Sequence, residues 1–600
     1  MGTRQRSGCR GAIRLARSLG FAWGMAAFFV MMPLWTAQMP PVVRTGVWAT
    51  AQLLMLLGLG IALGGPALAD LRRRRFTETT LVAGPVLLIL VGALVGGLGM
   101  SGASLMIAVV ITAAIHLTQQ RMYQPFERLV VPERPAYEGV PENEPEAPPE
   151  TDAAEETADR KKSALSPVEK AVRALGWTGL ILVALTLALW LALPSYRVFC
   201  GEWARRLGRL APADMSPVLY QGLLSAFAVL AVMSPFALRT ASPLVTEAAL
   251  EAGAARRVRY RDGEAVRSLG EATMVVFAAP GALTEGCARV RAVETMGVSP
   301  VRDVLAYAGA ATSGGGDMFA DAVRAACRRE NIDVTGTVKV SILPGLGVQA
   351  QVGERTVLAG RPRLLREQEV DFGAFEDTVA RFQTAGLLVR LVAVDGRCLG
   401  VIALHDPLRR DSVRVTKMLR ALGIRTALLA GEDKLWASVT AEQAGVDDVV
   451  ADVLPADRSH ALAQLRSETI GKMVLVSASE EDATVWRYAD AGIALCACPE
   501  AAPPEVSAAI SHEQLIAVVR AVVLARESLL RTVENAAWLT AYHGAMTPLA
   551  MLGLVHPAAG AALSTLAWVV TRWNARRLLR FDPDARVRKI LARRNRGDLF

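Results

Sequence analysis

The sequence predicts an α-helical membrane domain joined to a cytosolic α/β domain, and three observations carry that expectation. The chain of 600 residues is 52% hydrophobic with a mean hydropathy of +0.31, too apolar for an ordinary soluble protein. The apolar excess sits at both ends, in runs close to the roughly 20 residues that span a bilayer core. From Pro243 to about Ala525, short apolar runs alternate with helical patterns rich in Ala, Leu and Arg, as in a doubly wound α/β domain.

In chain order, the basic arm Arg4 to Arg17 precedes candidate spans at 19–38, 46–64, 80–98 and 102–119. No small-residue cleavage site follows the first, so it reads as a membrane helix and not a signal peptide. The second runs into Gly64-Gly65-Pro66 and the basic, amphipathic Ala67 to Arg75. That is either a helix end with a Gly-Pro stop or a kink laying the basic end along the membrane. Residues 123–170 are acidic and Pro-rich, lack hydrophobic periodicity and read as a disordered linker. Two spans at about 172–194 and 216–239 flank an outward loop holding Arg197, Arg205, Arg206 and Arg209. Two last spans, about 535–554 and 557–573, precede the basic tail Arg576 to Arg596, giving about eight transmembrane helices.

The net charge of +9 fits basic clusters beside spans, such as Arg72 to Arg75 and Arg576-Arg577, because cytoplasmic loops carry excess Lys and Arg. Both termini and the large domain are thus expected in the cytoplasm, with the helices in a bacterial inner membrane. No helix-turn-helix or aromatic-basic pattern points to nucleic acid. The expected partners are the lipid bilayer and another membrane protein reached through the cytosolic domain or the acidic linker. Seven scattered cysteines give no disulfide framework, and Cys496-Ala-Cys498 reads as an ordinary pair of thiols. In the cytosolic region Met274–Phe277 reads as a short buried strand, and Val392–Val394, Val401–Leu404, Thr426–Leu429 and Met473–Val476 read as parallel strands. Ser412–Leu422 reads as a helix between strands, and 288–400 as an inserted domain.

The run Met274–Phe277 leads into Ala278-Ala-Pro-Gly-Ala-Leu-Thr-Glu-Gly286, which resembles the phosphorylation strand and loop (Asp-Lys-Thr-Gly-Thr-Leu-Thr) of the P-type ATPases. Further framework strings, Val392-Ala-Val-Asp-Gly-Arg397, Leu399-Gly-Val-Ile-Ala-Leu404, Leu419-Arg-Ala-Leu-Gly-Ile424 and Ala489-Asp-Ala-Gly-Ile-Ala494, follow in the family's order. The order of segments resembles the heavy-metal branch. The resemblance implies a haloacid-dehalogenase-like α/β domain at 244–287 and 401–525, with a nucleotide-binding-like α+β insert at 288–400. Membrane helices then occupy 1–122 (four), 171–243 (two) and 526–600 (two, with the tail), and the linker 123–170 stands in place of the actuator domain.

The same resemblance identifies the chemical stations. Ala278 stands at the Asp nucleophile, Ala279 at the following Lys, and Pro280 and Ala282 at the two threonines. An alanine methyl has no lone pair, so covalent catalysis through this position is closed. Thr-Gly-Asp becomes Ala430-Gly-Glu432, and the Lys after Leu-Pro becomes Arg458, which keeps the charge but changes its geometry. The magnesium loop falls on Ser477-Ala-Ser-Glu-Glu-Asp482: Ala478 replaces the metal-binding Asp, Glu480 and Glu481 are out of register, and Asp482 alone matches. The adenine-binding Ser-Glu-His-Pro falls on Gly315-Gly-Asp-Met318, while a Gly-x-Gly survives at Gly345 and Gly347. Those glycines are either a residual nucleotide contact or a turn that needs positive φ.

In the membrane the family's Cys-Pro-Cys reads Ser234-Pro-Phe236, which leaves no thiolate for a soft ion. Its Tyr-Asn pair reads Tyr542-His543, and its Met and Ser-Ser positions fall on Ser564, Ala567 and Trp568. His543 is either a packed residue or a metal ligand. The 123–170 linker carries no Thr-Gly-Glu and is too short and polar to bury an actuator core. The reading is a P-type-ATPase-like pseudoenzyme with a regulatory or scaffolding role in heavy-metal handling. It requires no firm cofactor, and residual binding of ATP and Mg stays open. The alternative is a divergent ATP-driven, copper-type transporter using His543 with methionines such as Met25, Met31 or Met551. A passive, regulated pore is a third.

Overall fold

A computed structural model of the chain describes residues 39–40, 167–206, 218–234, 236–295, 300–314, 317–334, 337–479, 485–497, 502–503, 506–511 and 514–595. The four predicted N-terminal spans, the Gly64-Gly65 pair and the linker as far as residue 166 lie outside them. Two compact units result. One contains the described residues up to Glu247 together with Leu530–Arg577, and the other Ala248–Leu529 with the chain from Leu578 onward.

The first unit is helical. Its helices are Pro167–Ala192, Pro194–Arg206, Val218–Val232, Pro557–Arg576 and the adjoining parts of Phe236–Ala254 and Ile516–Met551. Trp190 is fully buried, and its Nε1 and the Tyr196 hydroxyl each donate to the Met551 carbonyl at 3.0 Å. That carbonyl ends a helix and has no intrahelical partner, so these two donors satisfy it. Among the described residues, Gln221–Ala254 is long and apolar enough to cross a membrane. Trp177–Ala192 and Pro194–Arg206 qualify only as a pair bent by 100°. The Arg-rich loop expected after residue 194 is therefore largely a helix as far as Arg206. The segments predicted at 535–554 and 557–573 are helical, but they are not among the runs apolar enough to cross.

Two predicted boundaries fall inside helices. The span expected to end at 239 breaks instead at Met233–Ser234 and resumes as Phe236–Ala254, with Pro243 in its interior. The boundary at 525/526 lies within Ile516–Met551. The tail also differs: its helix Pro583–Asn595 belongs to the second unit, where Arg520 grips Asp584 through Nε and Nη2 at 2.9–3.2 Å.

The second unit is built on two sheets. The first contains β1 (Val258–Tyr260), β2 (Ala272–Ala279), β9 (Arg425–Ala430), β10 (Asp448–Val450), β11 (Lys472–Ser477), β12 (Ala491–Cys496) and β13 (Ala508–Ser511). Its order is β1-β13-β12-β11-β2-β9-β10, and every pairing is parallel except β1 with β13. β2, at its centre, is buried on both faces, as its unbroken apolar run requires. One face packs Met274, Val276 and Ala278 with Leu429, Leu475, Leu462 and Trp486.

The second sheet contains β3 (Arg289–Thr295), β4 (Thr337–Leu343), β5 (Gly347–Val352), β6 (Arg355–Gly360), β7 (Leu388–Val394) and β8 (Arg397–His405), in the order β3-β8-β7-β6-β5-β4. All its pairings are antiparallel. Two sequence expectations are corrected here. Val392–Val394 and Val401–Leu404 are adjacent arms of an antiparallel hairpin and not parallel strands, and the insert runs to His405, beyond 400. The cause is the two-residue turn Asp395-Gly396, with φ of 50° and 78° between the paired Val394 and Arg397. Positive φ at both central residues is the turn that matches the twist of a tight hairpin.

Candidate functional site

In an open parallel sheet, ligands sit in the crevice beyond the carboxyl ends of the central strands. Here that position is the end of β2, flanked by β9 and β11. The chain leaves β2 through Ala278, Ala279 and a cis bond to Pro280, then turns at Gly281 with φ of 102°. The Gly281 amide donates to the Thr284 hydroxyl at 2.9 Å, and the Ala282 amide to the Ala278 carbonyl at 3.2 Å. A Cβ on Gly286, whose φ is 69°, would lie 3.1 Å from the Gly281 Cα. The glycines and the threonine around Ala278 therefore shape the loop.

The loop is zipped to the chain returning from the insert. Glu285 N donates to the Pro407 carbonyl and Arg409 N to the Leu283 carbonyl, each at 2.9 Å, and Thr284 bridges Leu408. Asp406 Oδ1 accepts from the Gly286 amide at 2.9 Å, and burial pushes its carboxyl above the ordinary aspartate range. Arg409 donates to the Gly281 carbonyl from Nε (3.1 Å) and Nη2 (2.7 Å).

A cavity of about 1090 Å³ opens over this loop, lined by Ala278 to Gly281 and Ala478 on one side and by Asp317, Phe319 and Gly345 to Val348 on the other. Arg361, Arg390, Arg409, Arg458 and Glu432 also line it. The structure thus brings together Ala278, Pro280, Glu432, Arg458, Ala478, Gly345 and Gly347, as the sequence positions imply. Asp482, with Glu480 and Glu481, lies outside the described residues. A Cβ placed on Gly281 would meet the Ala478 Cβ at 3.3 Å, so the loops that follow β2 and β11 are neighbours.

Glu432 is 4% exposed, and its carboxylate accepts from Arg390 at 3.1 and 2.7 Å, with Arg361 at 3.3 Å. Burial alone would push this carboxyl up. The charges of Arg390 and Arg361 outweigh it and hold the group below the usual glutamate range. Gly345 and Gly347 both have positive φ. A Cβ on Gly345 would come within 2.5 Å of the Pro455 Cδ, and one on Gly347 within 2.4 Å of the Ala359 carbonyl oxygen. Close backbone approach accounts for both glycines. Asp317, at the adenine station, caps the helix Met318–Arg329 by accepting from the Ala320 amide at 2.8 Å.

In the helical unit Ser234 is half-buried, Pro235 lies outside the described residues, and the Phe236 ring tilts against Trp568 at 5.8 Å. Tyr542 and His543 meet edge to face at 5.0 Å. Among the described residues no three His, Cys, Asp or Glu side chains are placed to share a metal ion. The residue that sequence reasoning missed is Arg390. A cation inside the run Leu388-Val-Arg-Leu-Val-Ala-Val394 signals a buried counter-charge, because an unpaired charge there would be too costly.

Residues 295–494, which run from the antiparallel insert into the parallel sheet, match the family described as haloacid dehalogenase-like hydrolase. The fold as a whole is similar to the crystal structure of a zinc-transporting PIB-type ATPase in the E2.Pi state. The TM-score is 0.60 at 20% identity, over 94% of this chain and 100% of that one. The chain resembles the heavy-metal P-type ATPases. It is 30% identical over 368 residues to the probable copper-exporting P-type ATPase V of Mycobacterium tuberculosis (strain CDC 1551 / Oshkosh), 61% of this chain and 48% of that protein. It is 28% identical over 351 residues to copper-transporting ATPase 1 of Rhizobium meliloti (strain 1021), 58% of this chain and 42% of that one. The chain thus spans about half the length of the curated relatives it matches.

Proposed function

We propose that the chain is an integral membrane protein of P-type-ATPase-like architecture that forms no phosphoenzyme at Ala278. In this reading it regulates or scaffolds a membrane partner in heavy-metal handling. One observation carries it: the ends of the adjacent parallel strands β2 and β11 bring Ala278 and Ala478, neither with a polar side-chain atom, to the lining of one cavity. Phosphoryl transfer through this loop needs an oxygen nucleophile and a held metal ion at those two places. Neither methyl can supply one. If Mg-ATP enters the cavity, the Ala278 position offers its phosphates no acceptor.

The second reading is an ATP-driven, copper-type transporter with a different phosphoryl acceptor. The names of the relatives favour it. The two readings separate in proteoliposomes of the full chain supplied with Mg-ATP and cuprous ion. The non-catalytic reading expects neither copper-stimulated ATP hydrolysis nor ATP-dependent copper movement, and either one would establish the transporter.

A further inference from the structure

The insert and the parallel-sheet domain are joined by a single neck, where residues 283–286 and 406–409 run side by side. A neck of two connecting segments, taken alone, permits one body to rotate against the other. The structure adds a second attachment across the cleft. Arg390, on β7 of the antiparallel sheet, is only 7% exposed and donates to both carboxylate oxygens of Glu432. Glu432 belongs to the other body, two residues beyond the end of β9. Arg361, at the start of the insert helix Pro362–Glu367, reaches the same carboxylate and also donates to the Gly431 carbonyl.

Packing follows the charges. Gly345 of the insert lies so close to Pro455 and Leu454 of the parallel-sheet domain that a Cβ would clash at 2.5 and 3.2 Å. The helix Glu376–Thr384 packs on Lys434–Ala444. At the rim Arg363 meets Asp452 at 3.4 Å. The rim pair is exposed and contributes little. The buried pair differs, because parting Glu432 from its guanidiniums would leave uncompensated charge in a closed site.

We propose that Glu432, gripped by Arg390 and Arg361, is a latch that holds the insert shut on the parallel-sheet domain and makes the cleft over Ala278 a fixed pocket. The latch involves no phosphoryl transfer, so it stands or falls separately from the function proposed above. It also gives Arg390 a role that neither the β2 loop nor the membrane helices require.

Hydrogen exchange of the full chain in lipid nanodiscs tests it, read at the facing segments 343–347 and 453–458. In the wild type both segments should exchange slowly, and rapid exchange there would overturn the latch. E432Q and R390M should each accelerate exchange at both segments at least tenfold, while β7 and β11 stay protected. Because a single variant strands a charge and can fail to fold, R361M/R390M/E432M, which removes all three charges, provides the decisive comparison. The latch predicts that this variant keeps both sheets protected and opens the facing segments by the same factor. Wild-type exchange at those segments in the triple variant would refute it.

Discussion

Ala278→Asp returns a carboxyl to the loop and asks whether the surrounding scaffold can still use one. Ala278 is 4% exposed and belongs to an apolar cluster with Val276, Leu429, Val453 and Leu475. Its partner across the ladder is Leu429, and Ala478 lines the same cavity. A buried carboxyl without a bound metal or an adjacent Lys responds by holding its proton, with a pKa raised by up to 3–5 units when fully buried. A rise of about 3 units, at 1.36 kcal/mol per unit, amounts to about 4 kcal/mol of lost stability. The sign follows from linkage. With a folded pKa above the unfolded one, the penalty is absent below about pH 4 and complete once the pH exceeds the folded value near 7. At roughly 2–4 °C per kcal/mol for a domain of this order of size, the cytosolic transition of A278D should fall by about 8–16 °C at pH 8 and by little at pH 4. Scanning fluorimetry of the full chain at both pH values measures this. If A278D melts with the wild type at pH 8, or takes up phosphate from Mg-ATP, the site has kept the environment of a working nucleophile and the reasoning fails.

Two further predictions concern residues around the cleft. Gly345→Ala should destabilise by about 2–4 kcal/mol, from a left-handed backbone plus the clash with Pro455. Gly353→Ala, with φ of 62° and open space around it, should cost only about 1–2 kcal/mol; equal losses in chemical denaturation would contradict the close approach. Asp406→Asn should gain on the wild type as pH climbs from about 4 to 8. Burial raises the Asp406 carboxyl, so the wild type loses stability over that interval while an amide does not. A pH-independent difference between the two proteins would show that this carboxyl is not perturbed.

The parts of the fold legible in the sequence were those dictated by local periodicity. Met274–Phe277, Thr426–Leu429 and Met473–Val476 are short continuous apolar runs, and they form β2, β9 and β11 at the centre of the parallel sheet. Val392–Val394 and Val401–Leu404 have the same apolar character, so apolarity alone could not place them. The Asp395-Gly396 turn between them held that information, because it favours a tight antiparallel hairpin. The stations around Ala278 were legible only through the order of neighbouring framework strings, which puts Ala478, Arg458, Glu432 and Gly345 in one cavity although long stretches of chain separate them. The partner of Arg390 was not legible: Glu432 lies 42 residues away, beyond the end of a strand in the other sheet. The span end at 239 and the domain boundary at 525 fall inside helices because hydropathy marks where a bilayer could begin, whereas Phe236–Ala254 and Ile516–Met551 continue as helices past it.

The most direct measurement is the acid-quenched reaction of the purified full chain with radiolabelled ATP, magnesium and cuprous ion. With methyl groups at 278 and 478, no hydroxylamine-labile phosphoprotein should form at any time point. A labelled band that hydroxylamine removes would mean that another carboxylate accepts the phosphoryl group, and it would contradict the account.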